Sequence, residues 1–287
     1  MKPILSFGIM ADCQYADKDD EDFVVSGTHH MYHNRYRQSA DKLRQAVETF
    51  NDFDLAFVVH LGDFVDRGIE EANGIIETIR ELKAPFWHVL GNHDFAGSEN
   101  DHTRLYKKYG IENSYYAKQI NGYRFIILDT NEVSIIKHPE GTTGWKMGKK
   151  MIQEAHEAGM LQAYDWNGGI GAEQQEWLEV QLNEAKAANE KVILFAHHPV
   201  FPPGVLNALN DEQIMRLIEK YPNVIAYING HNHLGAFGYR KNVPYLTVPG
   251  MLQTETNAYG IVTVYENKID VNGYGRIQDM TIEIDVQ

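Results

Sequence analysis

Residues 55–66 read LAFVVHLGDFVD, an apolar, β-branched run that stops abruptly at a glycine followed by two carboxylates, Asp63 and Asp66. A run of this composition and length predicts a strand. The same shape recurs at ILSFGIM (4–10), FWHVL (86–90), YRFIIL (123–128), VILFAH (192–197) and VIAYIN (224–229). Between these runs lie amphipathic stretches. In RYRQSADKLRQAVETFN (35–51), Ala40, Leu43, Val47 and Phe50 fall at helical spacing, and residues 69–82, 173–187 and 211–220 read similarly. Beyond residue 235 the pattern turns to strands and turns: PYLTVP, GIVTVY, KIDVNGYGRI and TIEIDV. An α/β first part with a β-rich end predicts two sheets packed face to face and flanked by helices. With no linker, low-complexity tract or internal repeat, residues 1–287 are expected to form a single domain. The segment at about 131–170 is rich in His, Lys and Gly and predicts a loop-and-helix excursion over one face.

Five of the apolar runs end on residues able to hold a metal: Asp12 and Gln14; Asp63 with Asp66; Asn92, His93 and Asp94; His197 and His198; His231 and His233. Taken singly, Asp63 or Asp66 could cap a helix, Asn92 after Gly91 could be turn chemistry, and His197 or His231 could be a satisfied core histidine. Five such coincidences are better explained by convergence, because ligands gather beyond the carboxyl ends of the strands in sheets of this kind. Two carboxylates (Asp12, Asp63), two amide oxygens (Gln14, Asn92) and three imidazoles (His197, His231, His233) suit a pair of divalent cations. One carboxylate can bridge both ions, as two-metal hydrolysis requires. The ions bring four positive charges against two carboxylates, so the site stays positive and attracts a phosphate ester.

The order D-x-Q, GDxxD, GNHD, HHP and GHxH, spanning residues 12 to 233, resembles the calcineurin-like metallophosphoesterases. That resemblance implies a four-layer αββα sandwich of two mixed β-sheets, with a dinuclear metal site at the C-terminal ends of the strands. Carried over position by position, it implies one ion held by Asp12, Gln14, Asp63 and His233. The other would be held by Asp63, Asn92, His197 and His231. His93 would orient the phosphate and serve as the acid that helps the leaving group depart. Asp94 would orient His93, and Asp66 would stand behind the ligands. Most members carry histidine where this chain has Gln14. A harder amide oxygen there favours Mn²⁺ or Mg²⁺, with Fe, Zn or Co as alternatives. The D-x-Q form with QYAD, RYRQS (35–39) and WNGGIGAEQQEWL (166–178) resembles the manganese-dependent ADP-ribose/CDP-alcohol diphosphatases. GDFVDRG (62–68) also resembles the protein serine/threonine phosphatases, but Leu90 and Asp94 stand where those enzymes have arginine and glutamate.

The expected function is therefore metal-dependent hydrolysis of the pyrophosphate bond of an ADP-ribose- or CDP-alcohol-like compound, by attack of a hydroxide shared between the ions. The alternatives are a phosphodiesterase or phosphomonoesterase acting on another small phosphate ester, and a non-catalytic scaffold of the same fold. Arg35 and Arg37, with Asn92 and His93, are candidate substrate contacts. Trp166, Tyr15 and Tyr36 are candidates to stack on a base or to pack. His29, His30 and His33 read as surface residues and Cys13 as a small core residue. A net charge of −14 argues against a nucleic-acid partner and an anionic membrane surface. One cysteine, and no run of the length a membrane span needs, fit a cytoplasmic setting.

Overall fold

The computed structural model describes residues 2–96 and 102–284. The strands, in chain order, are β1 (Leu5–Met10), β2 (Glu21–Val24), β3 (Met31–Asn34), β4 (Val58–His60), β5 (Phe86–His88), β6 (Tyr116–Ile120) and β7 (Tyr123–Ile127). They continue as β8 (Lys191–Ala196), β9 (Val224–Asn229), β10 (Ala236–Arg240), β11 (Val243–Thr247), β12 (Ala258–Val264), β13 (Lys268–Gly275) and β14 (Met280–Glu283). The α-helices are α1 (Gln38–Phe50), α2 (Ile76–Arg80), α3 (Asn92–Phe95), α4 (Thr103–Tyr109), α5 (Thr143–Glu157), α6 (Ala172–Ala187) and α7 (Asp211–Ile218).

Two six-stranded mixed sheets carry the fold, in the orders β14-β13-β12-β1-β4-β5 and β10-β11-β9-β8-β7-β6. In the first, β1, β4 and β5 run parallel while β12 pairs antiparallel with β1. In the second, β7, β8, β9 and β11 are parallel, with antiparallel edges. Their inner faces meet in a core that includes Phe7, Phe57, Trp87, Phe125 and Phe195. Phe57 stacks on Trp87 at 3.6 Å between centroids and meets Phe125 edge-on at 4.9 Å. Emptying such a buried aromatic position costs about 3–5 kcal/mol. The outer faces are closed by helices. Leu43, Ala46, Val47 and Phe50 of α1 recur every three or four residues and pack on Met10, Val58 and Ile261. On the other side Leu178, Leu182 and Ala185 of α6, with Ile214 and Ile218 of α7, cover Ile126, Leu194 and Tyr227. The layers are thus α, β, β, α.

One local expectation changes, and four strands appear that the sequence pattern did not announce. Residues 69–82 form not one helix but a 3₁₀ turn, Ile69–Gly74, followed by the short α2. Gly74 lies directly over the Tyr15 ring, where a Cβ would sit 3.0 Å from a ring carbon. The strands β6 and β10 are sheet edges and carry half-exposed, mixed sequences that do not read as core strands. The acidic stretch at 17–22 leads into a hairpin, β2–β3, whose second strand is also tied to residues 252–254 through an antiparallel bridge between Asn34 and Gln253. The end of TIEIDV lies outside the described residues. The 131–170 excursion closes on itself, since Val133 and Gly169 exchange backbone hydrogen bonds of 2.9 and 3.0 Å, with α5 between them.

Candidate metal centre

Parallel strands deliver their following loops to one rim. β1 is followed by Asp12 and Gln14, β4 by Asp63, β5 by Asn92, β8 by His197, and β9 by His231 and His233. Their atoms are close. His197 Nε2 lies 3.2 Å from Asp63 Oδ2, 3.0 Å from Asn92 Oδ1 and 3.1 Å from His231 Nδ1. His233 Nε2 lies 3.5 Å from Asp12 Oδ1. Asp63, His197 and His231 offer donor atoms all within 4.8 Å of one another, and so do Asp12, Asp63 and His233. Asp63 is common to both groups.

The backbone is bent to make this possible. Asp12, Gln14, Asp63 and His231 have φ of 49°, 44°, 56° and 65°, in the left-handed region that costs non-glycine residues energy. Each turn swings a side chain off the strand direction into the rim. Two glycines let the loops approach. A Cβ on Gly91 would lie 2.0 Å from Asp63 Oδ1, and one on Gly62 (φ 97°) would lie 2.3 Å from His197 Nδ1.

The surroundings fix which atoms face inward. His197 Nδ1 bonds the Leu61 carbonyl at 2.8 Å, so its N–H points away and Nε2 presents a lone pair. His231 Nε2 donates to Asn167 Oδ1 at 3.2 Å, which leaves Nδ1 inward. Gln14 Nε2 donates to Asp66 Oδ1 at 2.9 Å, so Oε1 is turned to the centre. Gln14 Oε1 is buried without a hydrogen-bond partner, and Asp63 Oδ2, equally buried, faces His197 Nε2 at 3.2 Å without a well-formed hydrogen bond. Buried acceptors stranded in this way are what a cation would satisfy. The titration behaviour agrees. Burial would push His197 down, but Asp63 and Asp12 outweigh it and raise the imidazole to about 9. Burial would raise Asp63, yet His197 and His93 hold it below the usual carboxylate range. Protons drawn onto histidines by carboxylates occupy the place that divalent ions would take. The oxygen and imidazole donors fit two such ions.

His93 and Asp94 part company. The His93 Nδ1 lies 2.9 Å from the Asp66 carbonyl and 3.3 Å from Asp66 Oδ1. Burial works against its charge, but Asp63 and Asp66 hold it up at about 9. The expectation that Asp94 orients His93 is therefore corrected: Asp66 takes that place. Asp94 is fully buried and accepts from the backbone N–H of Gly91 (2.8 Å), Asp63 (3.0 Å) and Phe64 (3.0 Å), and from the Tyr109 hydroxyl (3.1 Å). It pins the GNHD loop to the GDFVD loop. Asp94→Ala strands those donors, so a loss of about 3–5 kcal/mol in stability is expected from the denaturant midpoint. A change below about 1 kcal/mol would show that other contacts join the loops.

The centre opens into a cavity of about 410 Å³ whose walls include Lys18, Phe23, Tyr32, Tyr36, His93 and Trp166. Tyr36 and Trp166 thus line it, whereas Tyr15 packs beneath Gly74. Arg35 and Arg37 are not among its lining residues. Arg35 is bound to Asp22 (2.8 Å) and Glu255 (3.0 Å), and Arg37 to Asp17 (2.6 Å) and Asp19 (2.9 Å). His29 and His30 are exposed, while His33 is half-buried in β3, 3.1 Å from Asp22. Cys13 is fully buried. His198 turns away from the centre to Thr130 Oγ1 at 2.8 Å, and burial with His197 pushes it down to about 3. Sequence reasoning missed Lys18, Asn167 and Gln253, which contacts His233 Nδ1 at 3.2 Å. Asn167 lay within the WNGG stretch, but its spacing did not indicate a partner.

A family model described as Calcineurin-like phosphoesterase matches residues 5–235. A manganese-dependent ADP-ribose/CDP-alcohol diphosphatase of Arabidopsis thaliana is 28% identical over 309 residues, covering 98% of each chain. The Homo sapiens protein of the same name is 28% identical over 320 residues, covering 96% of this chain and 92% of its own. The crystal structure of a dimetal phosphatase from Danio rerio superposes with a TM-score of 0.87 at 24% identity, covering 99% of this chain and 100% of that one.

Proposed function

Because the chain belongs to the calcineurin-like phosphoesterase family, we propose that it hydrolyses the pyrophosphate bond of ADP-ribose- or CDP-alcohol-like compounds with two Mn²⁺ ions. It is a metal-dependent phosphoester hydrolase. The observation that carries the reading is Asp63, shared by two donor groups at the floor of a cavity large enough for a nucleotide-derived ligand. The substrate class and the choice of manganese are supported by relatives of that name, aligned over nearly the whole of both chains.

Asp12, Gln14, Asp63 and His233 would hold one ion, and Asp63, Asn92, His197 and His231 the other. When bound, two such ions supply the Lewis acidity and positive charge that polarise a phosphate anhydride. His93, kept charged by Asp63 and Asp66, stands at the cavity wall and delivers a proton to the departing oxygen. Asp66 holds the His93 ring and the Gln14 amide together, so the donor oxygen and the acid are set by one carboxylate. Asn92 adds an amide beside the phosphoryl oxygens. The hairpin β2–β3 and Trp166 of the 131–170 arm form the walls that meet the rest of the substrate. The same proposal includes a single catalytic domain, a cytoplasmic setting, and a small-molecule substrate in place of nucleic acid or a membrane surface. Among the described residues no helix is long and apolar enough to cross a membrane.

The test is a panel of ADP-ribose, CDP-alcohols, phosphomonoesters and bis-p-nitrophenyl phosphate, assayed with Mn²⁺ and after chelation. Release of AMP or CMP that disappears on chelation and returns with Mn²⁺ is expected. Cleavage of simple esters without any diphosphate would move the reading to a phosphodiesterase or phosphomonoesterase. A folded protein inert toward the whole panel would be a scaffold.

A further inference from the structure

A diphosphate presents two anionic phosphoryl groups, and the metal centre accounts for the one that is attacked. The other must lie further along the cavity and needs its own counter-charge. The arginines nearest in sequence cannot supply it, because Arg35 and Arg37 are taken up by carboxylates. Apart from histidine, the cations among the lining residues are Lys18 and Arg67. They differ in how firmly they are held. The Arg67 side chain is 78% exposed, and its Nε approaches Asp66 Oδ2 only to 3.7 Å. Lys18 is 30% exposed; its Nζ sits 2.7 Å from Asp66 Oδ2 and 3.8 Å from the centroid of the Tyr36 ring. A rigid cation loses less freedom when it binds an anion.

An ammonium has three N–H donors. Asp66 takes one and Tyr36 engages a second, while the neighbouring Glu21 Oε2, at 3.7 Å, is too far for a good bond. The third donor is available to the cavity that Lys18 lines. Burial works against the charge, but the Asp66 carboxylate outweighs it and raises the lysine above its ordinary value.

We propose that Lys18 binds the phosphoryl group that is not attacked, and is the residue that makes this enzyme select diphosphates over simple phosphate esters. The proposal rests on the diphosphatase reading for its substrate, and its test separates the two. Lys18→Met and Lys18→Arg are compared with the wild type for kcat and KM on the diphosphate substrate and on bis-p-nitrophenyl phosphate, with metal content per chain measured alongside. The ratio of kcat/KM, diphosphate over diester, is expected to fall by about 10–100-fold in Lys18→Met, mainly through KM, and to recover largely in Lys18→Arg. An equal loss on both substrates would overturn the proposal, since Lys18 would then act only by holding Asp66.

A second measurement is inhibition of the diester reaction by α,β-methylene-ADP, a diphosphate that cannot be cleaved. Its inhibition constant should rise about tenfold or more in Lys18→Met, while that of inorganic phosphate rises much less. If the wild type cleaves only simple esters, the diphosphatase reading fails, and this inhibition still decides whether Lys18 serves a diphosphate site. Equal inhibition of wild type and variant would overturn it.

Discussion

Asp63→Asn is expected to leave the protein with neither metal ion and with turnover reduced at least about a thousandfold. The side chain keeps its shape and its place in the turn, so the effect isolates charge. Asp63 belongs to both donor groups, and its buried Oδ2 faces His197 Nε2 at 3.2 Å. Its other oxygen already accepts the His93 backbone N–H at 2.8 Å. An amide there offers one weaker acceptor and places an N–H₂ where a cation must sit. Half of the carboxylate charge among the donors is lost with it, and Lewis-acid stabilisation worth several kcal/mol disappears. Elemental analysis of the dialysed protein decides the matter. Two ions per chain in the variant would remove Asp63 from the bridging position.

His93→Ala should have the opposite metal result, keeping both ions while losing about 10²–10⁴-fold in turnover on the diphosphate substrate. The imidazole reaches the cavity, its side chain 35% exposed, with Nδ1 held by Asp66, which leaves the Nε2 N–H to face a leaving group. The loss should shrink on bis-p-nitrophenyl phosphate, because p-nitrophenolate departs readily without a proton. A uniform loss on both substrates would make His93 an electrostatic contact to the phosphate. Near-normal rates would place the acid elsewhere.

How much of this could be read beforehand depended on whether a signal was local. The donors announced themselves because each ends an apolar run, a pattern of composition, and because parallel strands bring such ends to one rim. What a carboxylate touches is not local. Asp66 and Asp94 follow similar short motifs, and only the packed loops show that Asp66 reaches His93 while Asp94 turns back to three backbone N–H groups. The hairpin at 21–34 was hidden for a related reason. Its first strand is exposed along its whole length, so no core imprinted hydrophobic alternation on DKDDEDFVV. Lys18 was concealed in the same acidic stretch, and Arg35 and Arg37 looked available because that stretch had no visible fold to bind them.

The position of β1 within its sheet has a consequence for the making of the protein. It lies between β4 and β12, with Leu5 opposite Val264. During synthesis at roughly 5–20 residues per second, a nascent chain emerging from the ribosome carries this strand for about 10–50 s before its second neighbour exists. Throughout that interval one edge of a largely apolar strand is open to strangers. Asp12 sits at its tip, so premature termination before β12 would leave the metal-gathering loop held on the β4 side alone.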